Sequence, residues 1–177
     1  PMAKYSDIKG FTVQTLTSDP IDSGVPGGTW ASGGALGTAR ITKGSSAGTQ
    51  NASSVFGGQT APGFTDIHEQ YNGSSWTTAT EMATARLTNA GAGITTSALA
   101  PIGKNPGTSR VNNNESWNGS AWSEVADVNT SRRDGGGTGA SNTNAIIFGG
   151  FEADSPPGSQ SAKTEVFNGS SWSEKGD

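Results

Sequence analysis

The chain has 177 residues, 31% hydrophobic and 15% charged, with 27 glycines and a net charge of -4. That balance supplies no basic stripe to neutralise phosphates, so nucleic acid is not an expected partner. No run reaches the roughly 18 apolar residues of a spanning helix, so membrane insertion is not expected either. With no Cys and one His, the sequence offers neither a disulfide framework nor a thiolate metal site, and stability is expected to come from packing alone.

Residues 1–29 read as an N-terminal arm. Pro1 before Met2 is taken as an expression or cleavage remnant. Phe11, Val13 and Leu16 make an apolar, strand-like stretch, followed by a Pro/Gly-rich linker from Asp19 to Gly28. Such an arm is expected to dock on the rest of the protein or to anchor it to something larger.

From residue 30 onward the chain repeats itself. Trp30, Trp76 and Trp122 are 46 residues apart, Arg40, Arg86 and Arg132 follow each Trp by 10, and Gly57, Gly103 and Gly149 keep the same interval. Trp172 comes 50 residues after Trp122, and the extra four residues fall between Gly150 and Phe167, where an insertion marks a surface loop. Three units follow, at about 30–76, 77–122 and 123–177.

Each unit reads as four strands with no helix. The first strand follows the Arg (Arg40 to Gly48, Arg86 to Gly93, Arg132 to Gly139) and is almost wholly small residues, as expected where backbones crowd together. The second is apolar and ends at glycine: Ser54 to Gly57, Pro101 to Gly103, Ile146 to Gly149. It is expected to be buried on both faces. The third and fourth are joined by Tyr71-Asn72-Gly73-Ser74-Ser75-Trp76 and its counterparts from Trp117 to Trp122 and from Phe167 to Trp172. Asn-Gly predicts a tight type I′ hairpin with positive φ at both central residues. The same Asn-x-Ser triplets match the N-glycosylation pattern, but turn chemistry already accounts for them.

A period of 46 to 50, a double glycine after an apolar strand (Gly57-Gly58, Gly149-Gly150) and an aromatic then a Trp around a short turn together resemble the kelch repeat of β-propellers. Glu69, Glu115 and Glu165, each two residues before the aromatic, match the Glu-x-Tyr part of that pattern. The middle unit departs from it with Gly103-Lys104 and with Pro101 inside the strand, and is expected to be looser. The resemblance covers about residues 30–177. More narrowly, the Asn-Gly-Ser-Ser-Trp turns resemble kelch-like proteins of marine bacteriophages and their hosts.

The resemblance implies an all-β kelch-like propeller with three four-stranded blades. Closed propellers typically need four to eight blades. The chain is therefore either a piece of a longer propeller or half of a six-bladed ring completed by homodimerisation, the latter being favoured. Four Trp-bearing outer strands serve three sets of inner strands, so the Trp30 segment is expected to pair across the chain junction.

No catalytic set stands out. Copper oxidases built on kelch blades need two His, two Tyr and a Cys; here His68 is the lone imidazole, Tyr5 and Tyr71 are the only tyrosines, and Cys is absent. Sialidase chemistry is only faintly suggested by Asp22-Ser23-Gly24, without an arginine triad. The repeated Arg and Glu are expected to make blade-to-blade structural pairs. Function is instead expected where the units differ, in loops joining second to third strands: Gln59 to Phe64, Asn105 to Ser109 and Phe151 to Gln160. Phe64, Phe151, Glu152 and Asp154 are the candidate binding residues, the two acids for a cation or a basic partner. The expected role is a non-catalytic scaffold for protein–protein interaction, in a virion or extracellular setting, with no cofactor. Expected partners are itself, other virion proteins or surface glycans, the glycans belonging to an alternative lectin-like reading in which Trp76, Trp122 and Trp172 remain blade anchors.

Overall fold

The computed structural model describes residues 32–41, 45–61, 63–87, 90–107, 110–152 and 160–176. The chain divides into two units, Pro1–Ser32 and Gly33–Asp177. The arm and Trp30 belong to the first, of which only Ser32 is described, so those expectations lie outside the described residues, as does Asp154.

The second unit is all β: twelve strands in three antiparallel four-stranded sheets, with no helix among the described residues. The first sheet holds β1 (Ser45–Thr49), β2 (Ala52–Phe56), β3 (His68–Tyr71) and β4 (Trp76–Ala79) in sequence order. The middle sheet holds β5 (Ala92–Ile94), β6 (Ser97–Gly103), β7 (Val111–Trp117) and β8 (Trp122–Val125). The last holds β9 (Gly136–Ser141), β10 (Asn144–Phe148), β11 (Thr164–Phe167) and β12 (Trp172–Lys175). Each sheet is a four-strand meander, as in a propeller blade. The repeated Arg residues lie ahead of the first strands, not within them.

Opposed residues in an antiparallel pair point to one face, so the registers sort the side chains. Leu99 in β6 packs with Ala145, Ile147, Phe167 and Trp172 of the last sheet, while its neighbours Ala98 and Ala100 join Phe56 of the first sheet, with Trp117 and Met82. The two clusters are the two seams between consecutive sheets. At about 1.5–3 kcal/mol for each fully buried large apolar side chain, these seams are a principal source of stability. The middle sheet is covered on both sides, and from Ala98 to Gly103 the second strand is buried throughout. In the outer sheets β2 and β10 alternate buried with partly open residues, so burial on both faces holds only where a neighbour stands on each side.

Pro101 is accommodated by an irregularity. The β6–β7 register shifts between Pro101 and Gly103, and Ile102 takes φ 51°. Proline lacks the ladder donor and is tolerated at such a bulge. The bulge places Ile102, fully buried, in the cluster that holds Leu99.

The small residues of the first strands answer to crowding. A Cβ on Gly91 would lie 2.4 Å from the Ser46 carbonyl oxygen, and one on Gly137 3.0 Å from the Ala90 Cβ. Contacts run from β1 to β5 and from β5 to β9, so the inner strands converge with no room for side chains.

The hairpins differ from the type I′ expectation. Four residues separate β3 from β4, and Gly73 has φ 94° while Asn72 is not in the positive-φ region. Asn72 Oδ1 instead accepts from the backbone N–H groups of Ser74 and Ser75, both at 3.0 Å, and Asn118 and Asn168 do the same in their turns. The asparagine is chosen for its side-chain acceptor, and only the glycine for its φ.

Candidate functional site

Three loops leave the ends of β2, β6 and β10. In the first, a turn closed by Thr60 N–H donating to the Gly63 carbonyl (2.8 Å) and a bridge between Gln59 and Phe64 hold the Phe64 ring. In the second, Lys104 is fixed by reciprocal 2.8 Å backbone bonds with Leu87. Between them lies an open cleft of about 310 Å³ lined by Gln59, Gly63, Phe64, Lys104 and Pro106. Aromatic and proline surfaces thus flank an amide and an ammonium group. Gln59 and Pro106 fall within the loops where function is expected from the sequence, whereas Lys104, just ahead of the second loop, has no sequence signal that marks it.

The third loop is arranged differently. Phe151 exchanges backbone bonds with Arg133 (2.7 and 3.1 Å), whose guanidinium carbon sits 5.3 Å from the ring centre. Phe151 is therefore apart from the cleft and half-buried under a cation. Glu152 Oε1 accepts from the Ser161 hydroxyl (2.6 Å), and its Oε2 meets Lys163 Nζ at 3.3 Å. The Ser161 hydrogen bond, helped by Lys163, holds the Glu152 carboxyl below the usual carboxylate range. That carboxylate is already neutralised locally, so it offers little to a cation. Among the described residues no group of three or more His, Cys, Asp or Glu is placed to hold a metal ion.

The repeated Arg and Glu pair within each sheet unit, not between blades as expected. Arg40 Nη2 donates to Glu69 Oε1 at 2.9 Å, Arg132 Nη2 to Glu165 Oε1 at 2.6 Å, and Arg86 Nη2 lies 3.3 Å from Glu115 Oε1. The reason is geometric: each Arg enters the unit just ahead of its first strand and reaches across to the third. Each Glu also accepts from the linking segment, through the N–H of Gly37, Ala83 or Asn129 in turn. These charges fasten the linker to its sheet.

His68 opens β3 with no exposure to solvent. Its ring lies 4.7 Å from Trp117, 5.4 Å from Trp122 and 5.9 Å from Phe56, and its Nδ1 accepts from Trp122 Nε1 at 3.3 Å. Burial, opposed by the nearby Thr80 backbone and reinforced by the Arg40 charge, lowers its pKa to about 4. It is a neutral packing residue of the first seam.

No protein-family model matches the chain, and no curated protein matches it. Among solved structures, one titled "Structure of YjhT" aligns with a TM-score of 0.60 at 13% identity, over 75% of this chain and 45% of that one. At that identity the likeness speaks for the fold alone. The chain spans less than half the length of that structure.

Proposed function

We propose that the three sheets are kelch-like blades of a β-propeller and that the protein is a non-catalytic scaffold for protein–protein interaction. The observation that carries this reading is the contrast between the repeated Arg and Glu of the sheets, which meet each other in structural pairs, and the loops after β2 and β6, which line a cleft where Lys104 has no ion-pair partner among the described residues. A ring of six blades from two copies is the assembly this reading favours. The likeness to phage kelch-like proteins suggests a virion appendage as its setting.

The test is affinity capture from particles or lysate of the source with wild type and with Phe64→Ala and Lys104→Glu variants. One captured protein lost with both variants supports the scaffold reading, and capture indifferent to both counts against it. Reproducible turnover on a panel of sugars would remove the word non-catalytic.

The cleft also favours a second reading, a lectin-like propeller, since an aromatic face beside an amide and a cation suits a saccharide. A glycan array with wild type, Phe64→Ala and Phe151→Ala decides it, and no binding by the wild type ends it.

A further inference from the structure

Both seams join the same two kinds of face. Towards its successor, the first sheet presents Phe56 and His68; towards its predecessor, the middle sheet presents Trp117 and Trp122, and the last Phe167 and Trp172. The aromatics that precede the turns are nearly closed off in these seams, Trp117 and Phe167 each being 2% exposed. Two faces of these kinds have no sheet packed on them among the described residues, although the linking segment lies against Tyr71 and Glu69 on the first sheet. On the last sheet the successor face carries Ile146, Val166 and Phe148, the last 45% exposed. On the first sheet the predecessor face carries Val55, Tyr71 and Trp76, all half-buried.

The hydrogen bonds run in the same series. Gly58 N–H donates to the Arg86 carbonyl across the first seam (2.9 Å), and Gly103 N–H to the Arg132 carbonyl across the second (3.0 Å). The next members in register are the Gly150 N–H and the Arg40 carbonyl, and neither has a partner among the described residues. Trp122 Nε1 reaches His68 across the first seam, Trp172 Nε1 reaches the Ala126 carbonyl across the second, and Trp76 Nε1 has no partner among the described residues. The linking segment is already in place on the first sheet, through Gly37 and Glu69. Among the described residues no sheet precedes it.

Resting on the propeller reading, we propose that the occupant is a second copy of this chain docked head to tail. The predecessor face of one copy's first sheet packs on the successor face of the other's last sheet, and the two identical seams close six sheets about a twofold axis. Each seam continues an interface the chain builds twice within itself, Gly150 N–H meeting the Arg40 carbonyl of the other copy. The face is made by β9, β10 and β11.

Light scattering on the full chain, wild type and Phe148→Glu, tests the proposal, because a residue already 45% exposed takes a charge without loss of the fold. The expected result is a mass of two chains for the wild type and one for the variant, with unchanged circular dichroism, and the same loss for Val55→Glu on the complementary face. A wild-type mass of one chain at every concentration overturns it, and so does a two-chain mass that survives both substitutions. A cysteine pair at Ser97 and Asn142, whose side chains meet at 2.9 Å between the middle and last sheets, separates this from failure of the propeller reading. An intrachain disulfide, or an intrachain link by a short bismaleimide, with a one-chain mass overturns the docking alone, whereas failure of both to join the pair overturns the blade arrangement beneath it.

Discussion

Arg132 and Glu165 meet at 2.6 Å with neither side chain exposed, whereas Arg86 and Glu115, one unit earlier, stand 3.3 Å apart, with two Arg86 nitrogens, Nε and Nη1, left without partners among the described residues against one, Nε, at Arg132. Arg132 Nη1 donates to the Lys163 carbonyl at 2.9 Å, whereas Arg86 reaches the Ala100 carbonyl through Nη2 at 2.6 Å, the same nitrogen that faces Glu115. Burial pushes the Arg86 guanidinium down from its ordinary value, with Glu115 opposing. The middle unit, distorted at Pro101 and Ile102, holds its ion pair less well.

Removing one member of the tight pair leaves a buried charge alone. Arg132→Met is expected to cost about 3–5 kcal/mol by chemical denaturation. The double change Arg86→Met with Glu115→Gln is expected to cost less, about 1–2 kcal/mol, because two unfilled donors disappear together while the Ala100 carbonyl loses its 2.6 Å donor.

Stability also follows the lone histidine. With a native pKa of about 4 and an unfolded value near 6.5, the unfolded chain binds the extra proton between those values. The neutral ring's contribution is full above pH 6.5 and falls as pH drops towards 4, by about 3 kcal/mol in all. Denaturant midpoints at pH 7 and pH 5 should differ for the wild type by more than for His68→Gln. Equal slopes for both proteins would assign the acid sensitivity to the carboxylates instead.

Crowding at the inner strands sets a third expectation. Gly91→Ala puts a methyl group against the Ser46 backbone and is expected to cost about 1–3 kcal/mol, from strain at the first seam. Gly63→Ala, with nothing within 4 Å of the new carbon, serves as the neutral control. A thermal melt in which both variants behave alike would mean the inner strands are further apart.

At the rim, Asn118→Ala removes an acceptor for two backbone N–H groups, those of Ser120 and Ala121. These groups are exposed and water replaces the bond, so the expected loss is about 1 kcal/mol. Asn118→Asp keeps the acceptor and should restore most of it in the same denaturation series.

Much of this was legible from spacing. The 46-residue register located the three sheets, and the Asn-Gly-Ser runs located the hairpins, because both features are local or periodic. The pairing of Arg40 with Glu69 was read at the wrong range, since a repeat shows that two residues recur together but not whether they meet within a unit or across one. The turn type was misjudged for a related reason: Asn-Gly announces a reversal, while the four-residue separation lets asparagine act through its side chain. The loops that form the cleft were legible as the places where the units differ, but the part played by Lys104 was not, because it depends on how two loops of unlike sequence approach, which neither composition nor period encodes.

In a single undocked copy, a middle sheet covered on both sides, between two sheets each covered on one among the described residues, has a kinetic consequence. Opening should travel inward from the two ends, in the manner of a short linear array coupled through nearest neighbours. Amide protons of β6 and β7 would then exchange last, those of β1 to β4 and β9 to β12 earlier, and a protease would nibble the flanks before it reached Leu99.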